Sequence, residues 1–212
     1  MKILLSVLSL CLIISCHKET KTKLQNKSSE GIGNLKKDSA KIQNDSIKTV
    51  DDIKKEYSIL NTLLTSKKLD STSFNYNCDE REGEIVLYYQ NKKLKIVKDF
   101  YSEHSHFSSS TKYFVNNDHV FFIFKEDTSW NFDGGTPEKP ITKDDITEKR
   151  IYLQNGNAIQ CLEKEYSIRS VGNNPDPDKI TNKETKCDIG ELMKNYQSIL
   201  KNKDKKGEIK CL

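Results

Sequence analysis

Residues 147–166 read TEKRIYLQNGNAIQCLEKEY, and this stretch decides the fold. Asn155-Gly156 is a strong signal for a two-residue hairpin turn, because both residue types tolerate the left-handed backbone that such a turn requires. Apolar and polar side chains alternate on either side of it, from Thr147 to Gln154 and from Ala158 to Tyr166. The stretch therefore predicts two antiparallel strands that are joined directly.

The same period of two extends upstream to Ser71. A second hairpin turn is indicated at Asn116-Asn117-Asp118, between the runs Thr111–Val115 and His119–Phe124. We expect an antiparallel meander of six or seven strands, with one face packed on helices and the other in water. Further strand-like runs are Phe74–Cys78, Glu84–Gln90 and Lys92–Tyr101.

Helical spacing of apolar residues appears on both sides of the predicted sheet. Residues 51–66 form one amphipathic stripe, which Thr49 or Asp51 can cap, and residues 188–201 form another. The predicted fold class is therefore α+β. The polar segments Trp130–Asp145 and Ser170–Lys186 are expected to be long loops, and each is placed to border a binding site.

The N-terminus has the pattern of an exported protein. A short charged start and an apolar run too short to span a membrane precede Ile13-Ile14-Ser15-Cys16. This pattern resembles the lipobox of bacterial lipoproteins, which implies a signal peptide at residues 1–15 and attachment of acyl chains such as palmitate to Cys16. The pair Lys18-Glu19 resembles the surface-export signals of Bacteroidota lipoproteins. The resemblance implies an anchor in the outer membrane of the cell envelope. It leaves open whether the protein faces the periplasm or the cell surface.

Composition separates a tether from a folded domain. Residues 16–50 contain no aromatic side chain and too few apolar ones to offset their ordering entropy, so they are predicted to be a flexible tether. Residues 51–212 are predicted to form a single domain. Residues 51–200 carry 21 basic and 25 acidic side chains, and the whole chain has only three arginines. This charge argues against a DNA- or RNA-binding domain, which needs a basic face on the fold.

The cysteines that follow Cys16 are expected to pair in an oxidising compartment. Two disulfides, with three possible pairings, can form among Cys78, Cys161, Cys187 and Cys211. These cysteines lack the C-x-x-C spacing of a metal or redox site. We favour Cys161–Cys187, which would join a strand to the start of the second helix, together with Cys78–Cys211. A bond between Cys187 and Cys211 stays open.

Two further sets of side chains are candidates for a site. His104 and His106 would share one face if they lay in a strand, and with His119 they could ligate zinc or copper. The alternative is a serine-rich surface loop from Ser102 to Ser110. Trp130 could stack on a sugar or on a partner, or it could be a core or edge aromatic.

Residues 74–113 are similar to the opening of the periplasmic C-type lysozyme inhibitors. The similarity lies in Phe74-x-Tyr76-x-Cys78-Asp79, then Val86-x-Tyr88, then serines before Tyr113, although the glycine of the family's SG-x-x-Y element is missing. Those proteins are small β-barrels in which that cysteine forms a disulfide. The resemblance implies inhibition of a cell-wall lytic enzyme.

The sequence contains no catalytic motif and no cofactor motif, so we expect a non-enzymatic protein without a cofactor. The leading hypothesis is an envelope-anchored lipoprotein that acts as a binding or structural module. Its expected partners are the membrane, through the lipid anchor, and an envelope protein or a glycan. The alternatives are an inhibitor of a cell-wall lytic enzyme and a metal-binding protein at the histidine pair.

Overall fold

The computed structural model describes residues 47–205, 207 and 209–212. The predicted signal peptide at residues 1–15, the predicted lipidation site Cys16 and most of the predicted tether at residues 16–50 lie outside these residues. In the part of the chain that is described, no helix combines the length and the apolar character that a membrane span requires.

The described residues form two α-helices around one antiparallel sheet, which confirms the α+β class. The sheet has eight strands in sequential order, and not the six or seven predicted. The additional strand has only two residues, too few for any periodic signal. The elements are α1 (Val50–Thr65), β1 (Asp70–Cys78), β2 (Arg81–Gln90), β3 (Lys93–Glu103), β4 (Phe107–Asn116), β5 (His119–Thr136), β6 (Lys139–Gln154), β7 (Asn157–Arg169), β8 (Lys183–Glu184) and α2 (Gly190–Asn202).

The turns and the first helix cap follow local chemistry. Asn155 and Gly156 both have positive φ in the β6–β7 turn, and Asn117 and Asp118 do the same between β4 and β5. Thr49 caps α1 in a reciprocal capping box with Asp52, which places the first helix where its sequence predicted it.

The expected loop from Trp130 to Asp145 is instead the outer part of the β5–β6 hairpin. The two strands stay paired out to Thr136 and Lys139, with a change of register between Phe132 and Gly134. Polar side chains line both faces here, so the backbone is a strand without the apolar alternation that identifies one. For the same reason Ser108–Ser110, expected in a surface loop, lie within β4.

A helix covers each face of the sheet, which contradicts the prediction of one wet face. Consecutive apolar residues such as Tyr113-Phe114-Val115 point alternately to the two faces, so each face needs its own cover. The α1 face buries Ile53, Leu60, Ile96, Phe114, Phe121, Phe122 and Tyr152. The α2 face buries Ile85, Leu87, Val97, Tyr113, Val115, Ile123, Ile151, Leu153, Tyr196 and Ile199.

The sheet is open, with β1 at one edge and β8 at the other. The closed barrel implied by the similarity to lysozyme inhibitors is therefore wrong for this chain. Two disulfides join the segments before and after α2 to the sheet. Cys161 on β7 is bonded to Cys187 just before α2, and Cys78 at the end of β1 is bonded to Cys211 after it. This is the pairing that the sequence favoured.

Candidate functional site

A cavity of about 550 Å³ lies between α2 and the sheet, and we call it the α2 cleft. Strands β1 to β5 form its floor, α2 forms one wall, and the residues around the Cys78–Cys211 disulfide close one end. The residues of the sheet that line the cleft are Tyr76, Cys78, Arg81, Asp99, Tyr101, Thr111 and Lys125. Those of α2 and the C-terminal segment are Glu191, Leu192, Lys194, Asn195, Ser198 and Leu212.

Asp99 is the most buried polar residue that lines the cleft. Asp99 is only 3% exposed, although it lies on a strand in the middle of an apolar layer. Tyr76 Oη donates to its Oδ1 at 3.0 Å, and Asn195 Nδ2 donates to its Oδ2 at 2.7 Å. Burial raises the pKa of this carboxyl, and the hydrogen bonds from Asn195 and Tyr76 offset only part of the effect.

The same hydrogen bonds hold the middle of α2 on the sheet. Asn195 Nδ2 also lies 3.4 Å from Tyr113 Oη, which in turn donates to the backbone oxygen of Leu192 at 3.0 Å. Burial raises the pKa of the Tyr113 hydroxyl, so Tyr113 stays a neutral donor. The network fixes the positions of the polar groups that line the cleft.

The cationic side chains of the cleft each have a carboxylate beside them. Arg81 lies 3.0 Å from Glu103, and its guanidinium sits 4.3 Å above the ring of Tyr101. Lys125 is paired with Asp127. At the rim, Lys194 and Glu191 form an exposed pair at 3.1 Å. The cations that line the cleft are therefore already paired with carboxylates.

The structure does not bring the three candidate histidines together. His104 and His106 lie in the β3–β4 turn, and not in the strand that would have aligned them. His104 Nε2 is 2.9 Å from Glu80, whereas His106 stacks on Trp130. His119 starts β5 at the far end of β4, about 30 Å away at 3.3 Å per strand residue. Within the described residues no cluster of three metal-ligating side chains occurs.

Trp130 is a partly exposed aromatic on β5 that contacts the β3–β4 turn. Its ring lies between His106, at 4.0 Å between centroids, and Phe132, at 5.3 Å. Its indole nitrogen donates to the backbone oxygen of Ser105. Trp130 and the three histidines do not line the α2 cleft.

The segment Ser170–Lys186, expected to border a site, folds back on β6 and β7. Lys164 Nζ donates to the backbone oxygen of Pro177 at 2.8 Å, and Arg150 donates to Asn182 at 3.0 Å. Lys164 and Arg150 also pair with Glu148, at 3.2 and 2.7 Å. This buried network fastens the segment to the sheet, away from the α2 cleft.

Sequence reasoning missed the cleft because its residues come from distant parts of the chain. Asp99 and Asn195 are 96 positions apart. One local signal was available: Asp99 follows Val97 and precedes Tyr101 at two-residue spacing, so a charged residue stands on a face that is otherwise buried. A carboxyl in such a position needs dedicated partners.

Comparisons of the chain with protein-family models, with curated proteins and with solved structures find no match.

Proposed function

We propose that this chain is a lipid-anchored protein of the cell envelope whose folded domain binds a small polar ligand in the α2 cleft. The observation that carries the proposal is the cleft itself. Its volume of about 550 Å³ falls within the range of roughly 300–1,000 Å³ that small-molecule pockets occupy. Its polar groups converge from the sheet and from α2, as they do in ligand sites.

The lining of the cleft supports a site rather than a packing defect. Protein interiors are close-packed, and the voids that persist in them are few and small. Here Asp99, Asn195 and Thr111 line a cavity of about 550 Å³ beside α2. The disulfides Cys161–Cys187 and Cys78–Cys211 link the residues before α2 and the C-terminal segment to the sheet, which limits the movement of the cleft lining. Such preorganisation lowers the cost of binding.

The proposal assigns binding and no chemical step to the cleft. Both carboxylate oxygens of Asp99 already accept hydrogen bonds, from Tyr76 and from Asn195. A carboxylate with these two partners can fix the position of α2, which forms one wall of the cleft. The arrangement does not suit a general base, which must reach a proton of the substrate.

Membrane attachment is the second part of the proposal, and it rests on the lipobox-like segment that ends in Cys16. More than one acyl chain on that cysteine would make attachment durable, because a single chain binds only marginally. Intact-mass analysis of protein from its native envelope should show residues 1–15 missing and a diacylglyceryl group added. A Cys16→Ala chain that is processed and retained in the membrane like the wild type would contradict this part.

A thermal-shift screen of the full chain in detergent tests the cleft. The probes are neutral saccharides, inorganic phosphate and free amino acids, because a ligand that binds only the folded state raises the melting temperature. Ser198→Phe places an aromatic ring in the cleft. Gln197→Phe, at an exposed position on the same helix outside the cleft lining, is the matched control.

The expected result is a probe that raises the melting temperature of the wild type and of Gln197→Phe but not of Ser198→Phe. If no probe shifts the wild type, the cleft does not bind small polar ligands. A lysozyme-inhibition assay run beside the screen covers the alternative function. Inhibition that Ser198→Phe leaves intact would favour an inhibitor of lytic enzymes that acts through another surface.

A further inference from the structure

We infer that the ligand of the α2 cleft is an uncharged molecule rich in hydroxyl groups, that is, a saccharide. The inference rests on the proposed function, and it identifies the chemical class that the cleft selects. Three features carry it: compensated charge, mixed donors and acceptors in fixed positions, and apolar groups beside them.

The cationic groups of the cleft are compensated before any ligand arrives, and both oxygens of the Asp99 carboxyl already accept hydrogen bonds from Tyr76 and Asn195. Arg81 has Glu103 at 3.0 Å, and Lys125 has Asp127. An anion would have to compete with these carboxylates, and a cation would have to compete with the lysine and the guanidinium. Moving a charged ligand into a partly buried site also carries a desolvation cost, which existing ion pairs do not repay. A neutral ligand avoids both costs.

The hydrogen-bonding groups match hydroxyl groups, each of which both donates and accepts. Arg81 supplies donors only, and stacking on Tyr101 fixes the plane of its guanidinium. Asn195 supplies a carboxamide that Asp99 orients through Nδ2. Thr111 and Ser198 add hydroxyls from the floor and from the helix. Donors and acceptors thus alternate within a small space, as vicinal hydroxyl groups do on a sugar ring.

Apolar groups lie among these polar ones. Leu192 and Leu212 line the cleft together with the ring of Tyr76. A sugar ring carries polar groups at its edge and C–H groups on its faces, so it satisfies both kinds of lining at once. Inorganic phosphate has no apolar face with which to do so. The cleft is therefore complementary to a small saccharide in charge, in hydrogen bonding and in surface character.

Calorimetric titration of the full chain tests the inference, in a detergent that has no sugar headgroup. The probes are N,N′-diacetylchitobiose, maltose, inorganic phosphate and glutamate. We expect a saccharide to bind and its affinity to change little between about 50 and 500 mM salt, since screening weakens only charged interactions. Binding should depend on the cleft, and Ser198→Phe should abolish it.

Removal of one hydroxyl sharpens the test. Thr111→Val keeps the shape of a side chain that is 4% exposed, and the loss of one hydrogen bond should weaken saccharide binding about 2- to 10-fold. Thr111→Ser should restore most of the affinity. Thr128→Val, on the neighbouring strand and outside the cleft lining, is the control and should bind as the wild type does. Melting temperatures of all variants separate lost binding from lost folding.

The outcomes distinguish this inference from the proposed function. A cleft that binds phosphate or glutamate and neither saccharide overturns the inference and leaves the binding function standing. A cleft that binds none of the four probes overturns both. Saccharide binding that Ser198→Phe leaves unchanged places the sugar elsewhere and also overturns the inference.

Discussion

The two helices cover the same sheet in different ways. On the α1 face, Tyr57 packs against Phe114 and Phe122 with ring centroids 5.0 and 4.9 Å apart, and Ile53 and Leu60 are fully buried beside them. On the α2 face, hydrogen bonds reach the middle of the helix and disulfides join the segments at its ends to the sheet.

The α2 face also contains apolar helix contacts, since Tyr196 and Ile199 are buried there, so α2 is held by both kinds of attachment. Apolar packing has no preferred direction and gains energy from every contact, so it draws a helix down until little space remains. Hydrogen bonds and disulfides have set lengths and directions, so they fix where a helix lies. The α2 cleft lies beside the hydrogen-bonded part of the helix, where Leu192 and Asn195 belong to its lining.

The largest effect is expected from the apolar face. Phe114 is completely buried among the aromatic rings of the α1 face. Phe114→Ala should lower the free energy of unfolding by about 3–5 kcal/mol, because it removes apolar contact and leaves a void. Urea denaturation measures the loss, and Phe114→Leu, which restores most of the volume, should recover much of it. A loss below about 1 kcal/mol would show that this face is not held by packing.

Loss of a disulfide should rank next. Replacing either pair of cysteines by alanine is expected to lower the free energy of unfolding by about 2–5 kcal/mol. The pair Cys78–Cys211 spans 133 positions and Cys161–Cys187 spans 26. Loop-closure entropy therefore makes the first loss larger, by about 1.5 kcal/mol. Thermal and urea unfolding of the two double variants test the order, and equal losses would contradict an effect of loop length.

A smaller effect is expected from the polar attachment of α2. Tyr113 adjoins Phe114 on β4 but faces α2, where its hydroxyl donates to the backbone oxygen of Leu192. Tyr113→Phe removes that donor, together with the acceptor that lies 3.4 Å from Asn195 Nδ2, and should lower the free energy of unfolding by about 0.5–1.5 kcal/mol. The affinity of the cleft for its ligand should fall as well, because α2 loses one of the hydrogen bonds that position it on the sheet. An unchanged affinity would mean that the other bonds are sufficient to place α2.

The smallest expected effect is the change of stability with pH, and it should have opposite signs for ionisable groups on the two faces. Burial raises the pKa of Asp99 on the α2 face, so its contribution to stability is present below the usual value of 3.8 and is lost as the pH rises through the raised value. Burial by itself also raises the pKa of Glu148 on the α1 face. The hydrogen bond from Tyr166 and the charges of Arg150 and Lys164 outweigh it, so the pKa of Glu148 lies below its usual value. Its contribution is lost as the pH falls.

Two variants separate these contributions. With rising pH, Asp99→Asn should gain stability relative to the wild type, whereas the deficit of Glu148→Gln should be largest near neutral pH and shrink in acid. Melting temperatures between about pH 3 and 7 measure both trends. Parallel trends for the two variants would show that the faces do not differ in this way.

The comparison also shows which parts of the fold a linear pattern can predict. The turn residues Asn155-Gly156 and Asn117-Asp118, the capping residue Thr49 and the two helices could be predicted because each depends on neighbours within a few positions. The outer part of the β5–β6 hairpin could not. Polar residues on both of its faces leave no periodic signal, and only pairing with the adjacent strands makes it a sheet.

The sequence by itself determined the local elements of this protein: its fold class, most strand positions, both helices and the cysteines available for two disulfides. Only the tertiary structure decided that the helices cover opposite faces, that the histidines stay apart, and that Tyr76, Asp99 and Asn195 meet beneath α2. The physical reason is the distance along the sequence between the residues that interact. Periodicity and capping depend on residues within one or two turns of chain, whereas the cleft depends on contacts between segments up to 133 positions apart.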